Sequence, residues 1–179
     1  MAPSVKVWDL SVRLFHWALV ASFAVAWLTA EEWDALHEWA GYAVGGLVVL
    51  RIVIGFAGSH YARFAQFVRG PRETLGYAAA FLSGRETRYV GHNPLGAVMV
   101  LALLAVLAAT GLTGWLQTTD AYWGVSWVEE VHEILGNGML VLVAAHVGGV
   151  ALASFRHKEN LIRAMVTGRK RSAAQGDVT

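Results

Sequence analysis

The sequence predicts an all-α fold, an integral membrane four-helix bundle with both termini in the cytoplasm. The first observation is composition: 56% of the 179 residues are hydrophobic and only 15% are charged, whereas soluble domains carry about 25% charged residues. The second is that apolar residues gather in four stretches, each near the roughly 20 residues that cross a bilayer. We predict spans at residues 12–30, 36–57, 94–117 and 128–154.

The third observation is the distribution of basic residues, which sets the orientation. All fourteen Lys and Arg residues lie in the N-terminal leader and first helical turn, near the end of the second span, in the 58–93 connection or in the C-terminal segment. The two short connections contain none, so the positive-inside rule predicts that both termini are cytoplasmic. The predicted domains are a cytoplasmic leader (1–11), a membrane domain (12–168) and a flexible basic C-terminal tail (169–179).

Local signals justify the individual elements. We expect the first span to be a retained helix rather than a signal peptide, because it contains His16 and Trp17 and lacks a small-residue cleavage site before Glu31. In the long connection, Pro71 begins a short helix that we expect along the membrane surface. Asn93 caps the third span. The chain has no cysteine, which excludes disulfides, iron–sulfur clusters and covalently attached c-type haem.

Four histidines inside the spans form the most informative pattern. His132 and His146 are fourteen residues apart on the fourth span, which separates them by about 21 Å and returns them within about 40° of one helix face. In the predicted topology, His37 is level with His132 near the outer surface, and His16 with His146 near the inner surface. Ligands at two matched depths predict two bis-histidine haems b, each held between the fourth span and a partner helix.

A shared motif supports the outer pair. His37 and His132 each begin the pattern His-Glu-x-x-Gly, which ends at Gly41 and Gly136. Each glycine lies one turn deeper on the face of its histidine and leaves room for a flat macrocycle. The motif does not match the zinc hydrolase pattern, because that pattern needs a second histidine where glycine stands here.

Two other interpretations of the four histidines compete with haem ligation. Each ring could be a packing residue that is hydrogen-bonded to a neighbouring helix, although packing alone predicts no pairing by depth. A zinc or di-metal site is a second alternative, but the inner and outer pairs are too far apart to share one ion.

Three further polar residues are candidates for roles around the cofactors. Arg51 lies fourteen residues after His37 on a similar helix face, where it could pair with a haem propionate or simply mark the helix end as a snorkelling arginine. His92 and His157 lie at the predicted cytoplasmic interface, where they could line a quinone headgroup site and exchange its protons. The alternative for both is a solvated surface histidine.

The chain resembles the prokaryotic cytochrome b561 family, which is similar to the b-type cytochrome subunit of nickel–iron hydrogenases. The resemblance covers residues 5–168 and implies a four-helix membrane protein that passes electrons between a quinone and a partner on the outer side. It also implies that His16, His37, His132 and His146 are the axial ligands of two haems b. Some members of the family are superoxide oxidases, which feed electrons from superoxide into ubiquinone. The matching residues are Arg13 to Trp17, His37 with Arg51, Gly91 to Pro94, His132-Glu133 with His146, and Lys158 to Asn160.

The preferred function is a two-haem electron-transfer subunit that links the quinone pool of a respiratory chain to a periplasmic redox partner, a c-type cytochrome or another redox subunit. A superoxide:ubiquinone oxidoreductase is the enzymatic alternative. All charged residues of the outer connections are carboxylates, and their negative field repels superoxide and attracts a basic cytochrome. A membrane anchor that binds haem only structurally is the third hypothesis.

These hypotheses imply a multi-pass protein of the bacterial inner membrane whose partners are the lipid bilayer, a quinone and a redox protein. Nothing in the sequence predicts nucleic-acid binding, and the sequence leaves open whether the chain forms a homodimer.

Overall fold

The four predicted spans are helices in the computed structural model, which describes residues 3–179. Their observed bounds lie within two residues of the predicted ones, and each is long and apolar enough to cross a membrane. A small two-stranded sheet and one isolated β-bridge, between Tyr89 and Val178, depart from the all-α prediction. The elements are β1 (Ser4–Lys6), α1 (Leu10–Leu28), α2 (Asp34–Ala57), a 3₁₀ turn (His60–Ala62), α3 (Phe64–Phe67), α4 (Pro71–Leu82), α5 (Pro94–Gln117), α6 (Ser126–Arg156), α7 (Leu161–Thr167) and β2 (Arg169–Arg171).

The surfaces of the long helices are suited to lipid. Only 6% of the most apolar stretch of α6, and 33% of that of α2, is buried inside the protein. Val49, Ile134 and Val141 are between 62% and 70% exposed. Apolar side chains exposed at this density would be unfavourable in water but are ordinary against acyl chains. The fold is therefore that of a multi-pass membrane protein.

The chain divides into two compact units. The first, which we call the tail unit, contains the residues up to Arg13, Val53–Leu101 and Ala145–Thr179. The second, the turn unit, contains Leu14–Ile52 and Ala102–Ala144 together with the two short connections between helices. Each unit has its own hydrophobic cluster.

The turn unit is a four-helix bundle. Its cluster joins Val44 and Val48 of α2 to Leu107 of α5 and Met139 of α6. Two α1 side chains, Leu19 and Phe23, pack against that cluster, so every long helix contributes. Met139 is 1% exposed, and its flexible thioether suits the irregular space where four helices meet.

The tail unit is built around the two ends of the chain. β1 pairs antiparallel with β2, with Val5 opposite Lys170, and the leader buries Val7 and Trp8 against Ala164 of α7. The sequence predicts a flexible tail at 169–179; in the structure this segment instead pairs with the leader and bonds through Val178 to the backbone of Arg88 and Val90. A basic triplet with no acidic residue close to it in the sequence predicts a solvated segment, and this is why the sequence predicts a flexible tail here.

Capping signals in this unit agree with the sequence. The Asn93 side chain accepts a hydrogen bond from the Gly96 amide at 2.7 Å and caps α5. The helix that begins at Pro71 ends at Leu82, and Gly84 follows with a φ of 66°, a left-handed conformation that glycine adopts without steric cost.

A buried ion cluster holds the tail in place. The Arg88 guanidinium, 4% exposed, donates to Glu159 at 2.9 Å and also contacts the Asp177 carboxylate. Lys170 lies 3.6 Å from Glu159. Burial alone would raise the pKa of Glu159, but the Arg88 hydrogen bond and the Lys170 charge outweigh it and hold that pKa below its ordinary value. The carboxylate is therefore ionised at neutral pH.

Replacing Arg88 by methionine should release the tail. Breaking a buried ion pair leaves its partner uncompensated and costs about 3 kcal/mol, which corresponds to roughly a hundredfold loss of amide protection. We expect this loss for residues 169–178 in hydrogen–deuterium exchange of the protein in lipid nanodiscs. Arg85→Met is the matched control because Arg85 is exposed in the same connection. Equal exchange in the two variants would contradict the assigned role of the cluster.

Candidate functional site

His37 and His132 meet inside the turn unit. His37 lies in the first turn of α2 and His132 in the second turn of α6. Their ring centroids are 6.0 Å apart and their planes are inclined by 78°. Both rings are half-buried. The structure thus brings together the two histidines that sequence register predicts as the outer pair.

Backbone carbonyl groups fix the orientation of both rings. His37 Nδ1 lies 2.7 Å from the carbonyl oxygen of Ala26, and His132 Nδ1 lies 3.0 Å from that of Thr110. A carbonyl oxygen can only accept a hydrogen bond, so each Nδ1 must carry the proton. In a neutral imidazole this leaves the lone pair on Nε2, which is the arrangement expected of a metal-ligating histidine.

A glycine makes the close approach of His132 to α5 feasible. A Cβ atom at Gly114 would lie 2.9 Å from His132 Cε1 and 3.4 Å from Nδ1, so a larger residue would push the ring away from Thr110. At Gly41 and Gly136, in contrast, a Cβ would meet no atom within 4 Å apart from the adjacent residues and the nearby backbone of its own helix. Several other helix glycines are equally open, so this openness permits a macrocycle without requiring one.

The remaining predicted ligands lie on the helices expected for them. His16 is in the second turn of α1 and packs edge-on against Trp17, with ring centroids 5.1 Å apart. His146 is ten residues before the end of α6. The side chains of His16 and His146 are both half-buried. His16 belongs to the turn unit and His146 to the tail unit, and their pairing stays a prediction from helix register.

Arg51 is 4% exposed inside the turn unit, six residues before the end of α2. A snorkelling arginine keeps its charged end accessible, so this burial favours the propionate-pairing hypothesis over the alternative. Arg51 is also the only basic residue of the turn unit.

Comparison with known proteins identifies the family of this chain. The profile of the family described as prokaryotic cytochrome b561 matches residues 7–168. The chain belongs to the prokaryotic cytochrome b561 family. A protein of Bradyrhizobium diazoefficiens described as a probable Ni/Fe-hydrogenase B-type cytochrome subunit is 22% identical over a 213-residue alignment, which covers 94% of this chain and 86% of that protein. No solved structure matches the chain.

Membership in the prokaryotic cytochrome b561 family indicates a b-type haem and transmembrane electron transfer, and the geometry of the outer pair fits a haem. A metal–imidazole bond of about 2 Å, with the ring centroid about 1.1 Å beyond the nitrogen, separates the centroids of two opposed ligands by roughly 6 Å. The observed separation is 6.0 Å. Two imidazoles are a donor set that haem iron accepts in addition to its porphyrin nitrogens. Within residues 3–179 no three His, Cys, Asp or Glu side chains form a metal-binding group.

The two quinone candidates lie in different surroundings within the tail unit of this b561-family protein. His92 packs between Trp8 and Phe67, with ring centroids 4.7 and 4.5 Å away, rather than standing in solvent. His157 follows α6, and burial is the main cause that lowers its pKa, with Arg88 and Lys170 adding to the effect against the opposing charge of Glu86. His157 is therefore neutral at physiological pH and can accept a proton.

Sequence reasoning missed the groups that hold the outer histidines. Ala26 and Thr110 act through their backbone oxygens, which no side-chain pattern reveals. Thr113, whose hydroxyl lies 3.1 Å from His132 Nδ1, looks like an ordinary threonine that bonds its own helix. The one signal in the sequence is the segment Thr110-Gly111-Leu112-Thr113-Gly114, in which two glycines and two threonines occur within five residues of an apolar helix.

Replacing Gly114 by alanine should lower haem content. The added methyl group would collide with the His132 ring. Because the ring and the α5 backbone cannot both keep their positions, the ring would shift and move Nε2 away from the position suited to ligation. Gly111→Ala is the matched control, one turn away on α5, because a Cβ there would meet no atom within 4 Å apart from the adjacent residues and the nearby backbone of α5 itself. We expect less haem per chain in purified Gly114→Ala protein by pyridine haemochrome assay. Equal haem content in the two variants would contradict the close approach.

Proposed function

We propose that this b561-family protein is a transmembrane cytochrome with two haems b that transfers electrons between the membrane quinone pool and a redox partner on the outer side. The observation that carries the proposal is the pair of His37 and His132, whose ring centroids are 6.0 Å apart and whose Nδ1 atoms are both bonded to backbone carbonyls. Two such imidazoles leave no open position on iron, which favours electron transfer over oxygen binding.

The second haem is proposed from helix register. His146 lies fourteen residues beyond His132 on α6, so it presents a nitrogen about 21 Å farther along the same helix face. The proposed partner is His16, which lies near the start of α1, far from the short connection that follows this helix. For spans of alternating direction, sequence position predicts that His16 and His146 share one depth, by the same reasoning that pairs His37 with His132.

Haem b, when bound, supplies a one-electron ferric–ferrous couple. The protein contributes the four imidazoles, the apolar surroundings that exclude water, and the charge near the propionates. Arg51 is the proposed counter-charge at the inner haem, since it is buried and fourteen residues beyond His37 on α2. A guanidinium beside a propionate would stabilise the ionised form of that propionate, so Arg51 would keep the carboxyl charged.

The quinone is proposed to react in the tail unit. That unit holds thirteen of the fourteen basic residues, so the positive-inside rule assigns it to the cytoplasmic side of the bacterial inner membrane. The half-buried His157, with its lowered pKa, is a candidate to take up or release the proton that accompanies quinone chemistry. His92 would contribute an aromatic wall with Trp8 and Phe67.

The redox partner is proposed to dock on the turn unit. That unit exposes eight carboxylates and seven tryptophans and has one buried arginine. A negative field of this kind attracts a basic protein, such as a c-type cytochrome, and repels superoxide. The name of the Bradyrhizobium relative adds a hydrogenase-like subunit as a second kind of redox partner. The carboxylates are Glu31, Glu32, Asp34, Glu38, Asp120, Glu129, Glu130 and Glu133.

Single histidine replacements test the two-haem proposal. His37→Ala and His132→Ala should each lose about half of the haem, and the double variant should lose no more, because both residues hold one iron. His16→Ala and His146→Ala should behave in the same way toward the other half. The measurement is haem per chain with reduced-minus-oxidised spectra, and the exposed His60→Ala is the control. A colourless wild-type protein, or one haem per chain, would refute the proposal.

Stopped-flow kinetics test the docking surface. The rate at which a basic cytochrome c oxidises the quinol-reduced protein should fall with ionic strength, and the double variant Glu129→Gln, Glu130→Gln should be about tenfold slower at low salt. Glu73→Gln, a half-exposed carboxylate of the tail unit, is the control and should leave the rate unchanged.

A rate that does not depend on salt would argue against electrostatic docking. Rapid haem reduction by superoxide, followed by ubiquinone turnover, would instead support the superoxide oxidase alternative. Intact partner binding with lost electron transfer in His37→Ala would exclude the purely structural anchor.

A further inference from the structure

The Thr113 side chain is buried beside the outer histidine pair. Thr113 is 8% exposed, and its hydroxyl oxygen lies 3.1 Å from His132 Nδ1. The same oxygen lies 3.0 Å from the carbonyl oxygens of Ala109 and Thr110 on its own helix. All of these groups belong to the turn unit.

The carbonyl contacts decide which way each hydrogen points. Because Thr110 C=O can only accept, His132 Nδ1 carries a proton and directs it toward α5. The Thr113 hydroxyl has one proton and two carbonyl acceptors on its own helix, so it donates to the backbone. Its oxygen is then left to accept from His132 Nδ1, and the imidazole N–H is shared between the Thr110 carbonyl and the Thr113 hydroxyl.

The partner histidine has no such hydroxyl. His37 Nδ1 bonds the Ala26 carbonyl at 2.7 Å, and the nearby Thr29 hydroxyl is directed to the backbone, at 2.7 Å from Val25 O and 3.4 Å from Ala26 O. The two sites are alike in sequence, because Thr29 lies three residues after Ala26 and Thr113 lies three residues after Thr110. They differ in that Thr113 also contacts its imidazole, whereas Thr29 bonds only to backbone. The two histidines therefore differ in the number of acceptors around Nδ1, which is two for His132 and one for His37.

We propose that Thr113 is a positioning residue for His132: its hydroxyl oxygen is a second acceptor for the Nδ1 proton, further favours the tautomer that leaves Nε2 for iron, and makes this imidazole a stronger electron donor than the Thr110 carbonyl alone would. This inference rests on the proposed function, in that His132 is taken as an axial ligand. A hydrogen bond donated by the imidazole nitrogen that does not bind the metal raises the basicity of the ligand. A more basic ligand would stabilise ferric over ferrous iron and so lower the midpoint potential of the outer haem.

The test compares Thr113→Val with a matched control on the same helix. Thr110→Val also removes a back-bonding hydroxyl, which donates to Val106 O at 2.8 Å, but keeps the backbone carbonyl that His132 needs. Thr113→Ser retains the oxygen and should behave as wild type. Thr113→Ala is a second oxygen-free variant for the case that valine does not fit.

The first measurement uses haem-free protein. In ¹⁵N NMR of histidine-labelled protein in detergent micelles, loss of one acceptor should raise the ratio of the Nε2–H to the Nδ1–H tautomer of His132 by about threefold to tenfold. The ratio should be unchanged in Thr110→Val and restored in Thr113→Ser. An unchanged ratio in both oxygen-free variants would overturn the inference.

The second measurement is a redox titration of the haem that is lost in His132→Ala. We expect Thr113→Val and Thr113→Ala to raise its midpoint potential, while Thr110→Val and Thr113→Ser leave it at the wild-type value. A lower potential, or equal shifts in Thr113→Val and Thr110→Val, would overturn the inference. A chain that binds no haem would refute the proposed function instead, and the haem-free NMR comparison would still decide whether Thr113 sets the tautomer.

Discussion

The outer site depends on two hydrogen bonds between imidazole and backbone. An imidazole attached to a single helix can rotate about two side-chain bonds, and its two nitrogens can exchange roles. The carbonyl groups of Ala26 and Thr110 remove both freedoms, because each accepts a proton only from Nδ1. These carbonyls belong to neighbouring helices, so the geometry of the histidine pair is set by how the four helices pack rather than by either histidine's own helix.

That dependence explains which features the sequence predicts. Hydropathy fixes the four spans, since crossing a bilayer needs a minimum apolar length. Helix register then brings His37 to the level of His132, and the structure pairs them at 6.0 Å. The carbonyl acceptors and Thr113 could not be predicted in the same way, because their role depends on the distance between α5 and α6, and a threonine in an apolar helix normally bonds its own backbone.

The tail escaped prediction for a related reason. Arg169, Lys170 and Arg171 look like a solvated basic end, yet Lys170 is 6% exposed. Its partner Glu159 is eleven residues away, and Arg88, which completes the cluster, comes from the connection before α5. Ion pairs between distant segments leave no periodic trace in a sequence. Only the family pattern drew attention to Glu159, as part of the Lys158 to Asn160 motif.

The pairing of β1 with β2 joins the beginning of the described chain to its end. Ser4 stands opposite Arg171, and the Ser172 amide donates to the carbonyl oxygen of Pro3. Because the two strands are neighbours, the chain that precedes β1 and the chain that follows β2 leave from the same small sheet. A bulky insertion beside either strand would therefore crowd the other strand, whereas an insertion in an exposed loop elsewhere would leave the sheet and every helix in place.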